Sequence, residues 1–169
     1  MDGGPLFVSR VGQGKGRHDA PDRYGAWYCS RHRASAVAET IRFARGTVLE
    51  DLDFARPDGA VRALVELSLD DEALGLLDLD DPLELAARRL RPSQVATGQR
   101  TVTQQIARDI FDEGAAGFLW WSTLDGGWTN VTLFHERALP HVSIVARPRK
   151  LSIRLPEVQE AANRIGVRI

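Results

Sequence analysis

The sequence predicts an α+β fold, with short helices packed around a core of mixed, mostly antiparallel sheet. Segments that alternate apolar and polar side chains lie between segments with helical spacing of apolar residues. Strand and helix do not follow each other in the strict repeat that a doubly wound parallel sheet requires. With 169 residues, of which 43% are hydrophobic, the chain is long enough for one self-sufficient domain over residues 1–169.

The first half of the chain contains one clear strand and one clear helix. Residues 24–30 are aromatic and nearly uncharged, which predicts a strand with Tyr28 and Ser30 on one face and Trp27 and Cys29 on the other. Apolar residues at helical spacing predict a helix over 33–45 that ends at Gly46. Weaker patterns predict strands at 5–11 and 60–69, a glycine-rich loop over 12–23 and a short helix at 82–90.

The second half begins with the strongest helix signal, over residues 101–113. Thr101 and Gln104 have the spacing of a capping box, in which each side chain bonds the other residue's backbone N–H. The apolar segments 117–122 and 130–134 flank a turn at Asp125-Gly126-Gly127, which predicts a hairpin. Late strands are expected at 142–146 and 151–155, followed by a helix over 156–164.

Composition and missing motifs exclude several classes of function. The net charge of −1 argues against nucleic-acid binding by bulk electrostatics. No apolar run is long enough for a membrane span and the N-terminus lacks a secretory pattern, so we expect a cytoplasmic protein. One cysteine, Cys29, excludes an internal disulfide and a cysteine-rich zinc site. Gly12 to Gly16 has neither phosphate-loop spacing, so a flexible loop is favoured over a nucleotide cradle.

Four polar residues are candidates for a site: Arg17, Tyr28, Glu39 and Ser122. The first three are spaced eleven residues apart in a loop, a strand and a helix, so a fold of this class can bring them together. Each also has an ordinary structural explanation. Arg17 can be solvated, Tyr28 can be a core aromatic, Glu39 can pair with Arg42, and Ser122 can cap a turn.

Other polar and aromatic residues carry weaker signals. We expect His18, in a loop, to be polar surface. The remaining histidines have no metal-binding spacing. Trp120 and Trp121 are expected in the core, whereas Trp128, at the hairpin tip, is expected to line a pocket or contact a partner.

Five segments together resemble the RES-domain family, which is named for an Arg, a Glu and a Ser. They are Gly16-Arg17-His18-Asp19, Trp27-Tyr28-Cys29-Ser30, Ala36-Val37-Ala38-Glu39, and the pair Gly117–Ser122 and Trp128–Phe134. The resemblance covers about residues 6–135. Family members often have an aromatic residue and Asn where this chain has His18 and Asp19, and Arg10 matches an upstream arginine at a shorter spacing.

The resemblance implies a fold similar to that of ADP-ribosyltransferases and an NAD-consuming toxin of a two-gene toxin–antitoxin system. It implies cleavage of the nicotinamide–ribose bond by phosphorolysis or hydrolysis, with NAD+ as substrate and no separate cofactor or metal. An antitoxin of the Xre or helix-turn-helix type is the implied partner, and a homo-oligomer is open. Transfer of ADP-ribose to a protein, an inactive RES-like binding module and a hydrolase of another nucleotide-like substrate are the alternatives.

The resemblance also implies roles for individual residues. Glu39 would stabilise the cation that develops on the ribose, and Arg17 would bind the phosphate side of NAD+. Tyr28 would stack on nicotinamide or bond the ribose, and Ser122 would donate a hydrogen bond and hold Glu39. Arg10 and Asn130 are implied as further, weaker contacts to the dinucleotide.

Overall fold

A four-stranded sheet forms the centre of the computed structural model, which describes residues 4–169. Its strands are β1 (Ala26–Ser30), β4 (Leu77–Asp78), β5 (Gly117–Trp121) and β6 (Thr129–Phe134), in the order β1-β6-β5-β4. Strand β6 pairs antiparallel with both β1 and β5, and β4 joins β5 in parallel. The predicted hairpin and the predicted α+β class are both confirmed.

Two small antiparallel ladders lie outside the central sheet. Strand β2 (Ala63–Leu64) pairs with β8 (Arg149–Lys150), and β3 (Leu67–Leu69) pairs with β7 (Val142–Ile144). The prediction of one continuous strand over 60–69 is therefore wrong, because the segment forms two short strands. Alternation of side chains reports which face is buried, but not that the two halves of the segment pair with different strands.

Helices cover the sheet and connect its strands. They are α1 (Arg33–Ile41), α2 (Asp71–Leu74), α3 (Pro82–Ala87), α4 (Pro92–Ala96), α5 (Arg100–Asp112), α6 (His135–Ala138) and α7 (Pro156–Ile165). Three 3₁₀ turns occur at Arg42–Ala44, Asp51–Phe54 and Leu139–His141. None of the helices within residues 4–169 combines the length and the apolar character that crossing a membrane would require.

The buried side chains form three apolar clusters. One joins α1 to α7, a second lies between α5 and the sheet face that carries Phe118, and a third covers the opposite face around Val131. Trp128 belongs to the cluster of α1 and Phe118 to the cluster of α5, and the register of β5 and β6 puts both side chains on one face of the sheet. Helices α1 and α5 therefore cover the same face. The boundary between these two clusters is where polar side chains collect.

Two predicted strands are absent. Residues 5–11 are irregular, and Leu6 and Val8 pack against the cluster around Val131 instead of pairing with a strand. Residues 151–155 are also irregular, although Leu151 is buried in the α1–α7 cluster. Short apolar runs become buried in both places, but burial does not require a ladder of backbone hydrogen bonds.

Candidate functional site

One face of the central sheet carries most of the polar residues that the sequence singled out. Cross-strand pairing forms two adjacent rows on it, Tyr28–Thr132–Phe118 and Ser30–Asn130–Trp120. Because side chains alternate along a strand, Ser122 lies on this face as well. Helix α1 packs over it, since the Ser35 hydroxyl donates to Oδ1 of Asn130 at 2.8 Å.

Arg17 lies over this face, at the boundary between the two clusters. Its guanidinium is 5.3 Å from the centre of the Trp120 ring, and its Nη1 donates to the carbonyls of Val95 at 3.1 Å and Thr97 at 2.7 Å. These contacts use one nitrogen and fix the direction of the planar group. The remaining N–H groups stay available for a ligand.

Burial and several nearby charged residues shift the pKa of Arg17. Burial lowers the pKa of Arg17, the positive charges of Arg100 and Arg42 lower it further, and the negative charge of Glu39 acts in the opposite direction. Glu39 is therefore close enough to act on the charge of Arg17, although no ion pair joins the two side chains among residues 4–169.

Side chains bond both the N–H groups and the carbonyls of the glycine-rich loop before Arg17. The Asp19 carboxylate accepts the N–H groups of Gly14 at 2.7 Å and Gly16 at 2.6 Å. The Gln104 side chain donates to the carbonyls of the same two glycines, at 3.0 and 2.9 Å. A Cβ at residue 16 would overlap the Asp19 carboxylate, so this close approach requires glycine. Because Asp19 occupies these two amides, they do not form an open phosphate cradle.

The predicted capping box at Thr101 and Gln104 is wrong. Helix α5 begins one residue earlier than predicted, its N-cap is Gln99, and no side chain caps it. Gln104 bonds the loop instead, so a tertiary contact uses the side chain that the local motif had assigned to the helix end.

Tyr28 is held by its hydroxyl group. The hydroxyl accepts the backbone N–H of His18 at 2.8 Å and donates to Oδ1 of Asp19 at 2.7 Å. Burial of the hydroxyl, followed by the bond to Asp19, raises the pKa of Tyr28 well above its ordinary value. The side chain is therefore a fixed neutral phenol in a residue that is 42% exposed, which suits stacking or hydrogen bonding but not proton transfer.

His18 is buried, contrary to the prediction of a surface residue. Its Nδ1 lies 2.8 Å from Oγ1 of Thr132, which also accepts the indole N–H of Trp120 at 3.1 Å. Its backbone carbonyl accepts the Tyr24 hydroxyl at 2.8 Å. Burial, and then the positive charges of Arg17 and Arg100, lower the pKa of His18 well below its usual value. The imidazole is thus neutral and helps to anchor the loop that carries Arg17.

Glu39 lies on α1, one helical turn after Ser35. Its side chain is 34% exposed, and its Oε2 is 3.6 Å from Nη1 of Arg42, which is 52% exposed. The ion pair expected from the ordinary structural explanation is therefore present, but long and solvated. It leaves the carboxylate partly exposed and accessible to a ligand.

Ser122 is buried at the end of β5, and its hydroxyl accepts the N–H of Leu124 at 3.1 Å. This is the turn cap foreseen as its ordinary explanation, and the described contacts of Ser122 include none with Glu39. A hydroxyl can donate while it accepts, so the proton of Ser122 remains available.

Asn130 is also buried, and its Nδ2 has no hydrogen-bond partner among residues 4–169. Arg10 is placed elsewhere: it pairs with Glu136 at 3.1 Å, and Glu136 also contacts the N–H of Gly25 just before β1. Of the other candidates, Tyr28 lies on β1 itself, and Asn130 pairs with Ser30 at the far end of that strand.

Trp128 does not line an exposed pocket or contact surface, contrary to prediction. It is 4% exposed and belongs to the apolar cluster between α1 and α7. The glycines before it let the chain turn, and the turn directs the indole inward. Cys29 is a free cysteine, and burial raises the pKa of its thiol to about 12.

Sequence reasoning missed the residues that hold the site in place, namely Asp19, Gln104, Thr132 and Ser35. A carboxylate directly after a glycine loop is a recognisable acceptor for loop amides, so Asp19 carried some signal. Ser35 and Thr132 stand inside regular elements without a local signature, and the spacing of Gln104 had assigned that side chain to the helix end instead of the loop. Among residues 4–169, no group of three or more His, Cys, Asp or Glu side chains could hold a metal ion.

The fold is an α+β domain whose central sheet carries Tyr28 and Ser122 on one face, with the loop of Arg17 and the helix of Glu39 packed over that face. Comparison with protein families matches residues 5–155 to the RES domain. The chain therefore belongs to the RES-domain family, as the sequence motifs indicated. Among curated proteins, none matches the chain in sequence.

A solved structure has a similar fold. It is the crystal structure of the M. tuberculosis MbcT–MbcA toxin–antitoxin complex, with a TM-score of 0.61 and 20% sequence identity. The match covers 90% of this chain and 76% of that one. At this level of identity the likeness concerns the fold.

Proposed function

We propose that this protein is the toxin of a toxin–antitoxin system and that it cleaves the nicotinamide–ribose bond of NAD+. The observation that carries the proposal is the position of Arg17, whose guanidinium is 5.3 Å from the Trp120 ring, on the sheet face that also carries Tyr28 and that helix α1, with Glu39, packs over. Membership of the RES-domain family and the fold shared with a toxin–antitoxin complex support the same assignment.

The chemistry of the bond suits these two residues. Cleavage leaves the electron pair of the C–N bond on nicotinamide and develops positive charge on the ribose, as in glycoside hydrolysis. A carboxylate such as that of Glu39 stabilises this charge where it develops. The Arg17 guanidinium matches phosphate oxygens and would hold the pyrophosphate.

Tyr28 and Ser122 serve binding in this proposal. Tyr28 is a neutral phenol in a partly exposed residue, and it would offer a surface for nicotinamide or ribose. Ser122 would donate its hydroxyl proton to an oxygen of the substrate. Neither residue needs to change its protonation state during the reaction.

The positive charge around Arg17 favours phosphate as the acceptor of ADP-ribose. Arg42 and Arg100 both act electrostatically on Arg17, with Glu39 as the carboxylate among the same charges. One nitrogen of the Arg100 side chain, Nη1, is buried and has no partner among residues 4–169. Phosphorolysis would form a C–O bond between the ribose and phosphate and release neutral nicotinamide.

The test is nicotinamide release by the purified full chain, followed by chromatography with and without inorganic phosphate. Phosphorolysis predicts faster release with phosphate and an ADP-ribose product that carries a new phosphate group. Hydrolysis predicts ADP-ribose and no dependence on phosphate. A folded, antitoxin-free protein that releases no nicotinamide under either condition would refute the proposal.

A protein acceptor is the second candidate, because the site is open. Both Tyr28 and Glu39 are partly exposed, so a side chain of another macromolecule could reach the ribose. Labelled NAD+ incubated with the chain and a cell extract separates the two functions. Label attached to protein supports transfer, whereas label confined to small molecules supports phosphorolysis or hydrolysis.

The biological role has a separate test. Expression of the chain alone in bacteria should stop growth and lower the NAD pool, and co-expression of its cognate antitoxin, of the Xre or helix-turn-helix type, should restore both. Growth arrest with an unchanged NAD pool would contradict the proposed substrate.

A further inference from the structure

A hydrogen bond between two fully buried polar side chains joins α1 to the central sheet. Ser35 is 0% exposed and Asn130 is 2% exposed. The Ser35 hydroxyl donates to Oδ1 of Asn130 at 2.8 Å. The Nδ2 group of the same amide is buried and has no partner among residues 4–169.

Such an arrangement is unusual for a group that serves only packing. Leaving a buried N–H unpaired costs about 1–3 kcal/mol, and native structures rarely do so. The amide is anchored at its oxygen and offers donors at its nitrogen. A ligand with an acceptor oxygen would satisfy them.

The surroundings of Asn130 place this donor at the candidate site. Its cross-strand neighbour Trp120 lies below the guanidinium of Arg17. On the other side, Ser35 and Glu39 are four residues apart on α1 and therefore lie one turn apart on the same side of the helix. Asn130 thus lies between the helix that carries Glu39 and the loop that carries Arg17.

We propose that Nδ2 of Asn130 donates to an uncharged oxygen of the substrate's nicotinamide riboside half, and that Ser35 is the positioning residue that sets the orientation of this amide. The inference rests on the proposed function and specifies a contact within that site. A neutral amide suits a carboxamide or hydroxyl oxygen, whereas the arginines suit the phosphates.

Two variants test the two residues. Asn130→Asp keeps the shape of the side chain but replaces the donor with an acceptor, and we expect it to lower kcat/KM by about 100-fold or more. Ser35→Ala leaves the donor in place but removes its anchor, and we expect a loss of about tenfold, mostly in KM. Ser35→Thr keeps the hydroxyl and should recover much of this loss.

Thr40→Ala is the matched control. Its hydroxyl is on the same helix but bonds the carbonyl of Ala36 within that helix, at 3.2 Å. It should retain wild-type kinetics. Melting curves of all variants show whether each is folded, and the KM effect of Ser35→Ala is a readout that a general loss of stability would not produce.

Comparison of two substrates identifies the oxygen. The probes are NAD+ and its thionicotinamide analogue, in which sulfur replaces the carboxamide oxygen. If this oxygen is the acceptor, wild type prefers NAD+ and Asn130→Asp loses the preference. If a ribose hydroxyl is the acceptor, the variant keeps the preference while its kcat/KM still falls.

The proposed function and this inference fail in different ways. A wild type that releases no nicotinamide and whose melting temperature does not respond to NAD+ would overturn both. An active wild type, together with folded Asn130→Asp and Ser35→Ala variants of unchanged KM and kcat, would overturn only the inference.

Discussion

Replacing Glu39 with Gln tests the proposed mechanism most directly, because the substitution changes charge and little else. The side chain keeps its length and its hydrogen-bonding oxygen. Glu39 is 34% exposed, so the change opens no cavity in the core. Any large effect must therefore come from loss of the negative charge.

The expected effect on stability is small. The substitution removes the 3.6 Å ion pair with Arg42, in which both side chains are partly exposed. Solvated pairs of this kind contribute up to about 1 kcal/mol. For a chain of this size that corresponds to roughly 2–4 °C in Tm.

The expected effect on the rate is large. Removal of one preorganised electrostatic interaction with a transition state typically costs about 10²–10³ in kcat. Binding of NAD+ should change much less, because its ribose does not carry the developing charge in the ground state.

The assay is nicotinamide release by wild type, Glu39→Gln and a control, with a melting curve for each. Glu113→Gln is a matched control, because it removes the charge of a carboxylate paired with Arg88 at 2.6 Å. Glu113 follows the far end of α5, roughly 20 Å from the Arg100 end. A Glu39→Gln variant as active and as stable as wild type would refute the mechanism and leave Glu39 as the surface partner of Arg42.

Three further predictions concern the residues that hold the site. Saturating NAD+ should raise the Tm of wild type, and Arg17→Ala should lose most of that rise even after its own lower Tm is subtracted; an undiminished rise would contradict a role in binding. Asp19→Ala leaves three donors without their acceptor and should cost about 3 kcal/mol or more in urea unfolding, whereas Asp19→Asn should cost much less because it keeps one acceptor oxygen. Folded His18 stays neutral while the unfolded residue binds a proton near its usual pKa of 6.5, so its contribution to stability is lost as the pH falls below that value. This dependence changes the free energy of unfolding by up to about 1.4 kcal/mol per pH unit, and His18→Gln should remove it. An identical pH profile for the variant would show that His18 is not its source.

The fold could be predicted where local patterns were strong. Strand β1, the β5–β6 hairpin and helix α5 follow from alternation, turn residues and helical spacing, and their predicted bounds were close. The prediction failed where burial comes from distant parts of the chain. His18 is polar and lies in a loop, yet Tyr24, Tyr28 and Thr132 surround it in the folded protein.

The candidate site was predictable only where local motifs marked its residues. Family motifs singled out Arg17, Tyr28 and Glu39, and the fold brings the loop, strand and helix that carry them to one face of the sheet. Their supports could not be foreseen, because a Gln inside a helix or a Ser on a buried helix face has no local signature of the partner it bonds. Such bonds depend on how α5 and α1 pack on the sheet.

The side chain of Gln13 covers part of the outer edge of β1. Its Oε1 accepts the N–H of Ala26 at 3.0 Å, and its Nε2 donates to the Ala26 carbonyl at 2.9 Å. One amide thus supplies the two hydrogen bonds that a neighbouring strand would otherwise form. Uncovered edges invite pairing between molecules and aggregation. Gln13 belongs to the loop that carries Arg17. A molecule whose loop detaches would therefore lose its site and also expose the unpaired edge of β1 to other molecules. Solubility and activity in this protein are thus linked through one side chain.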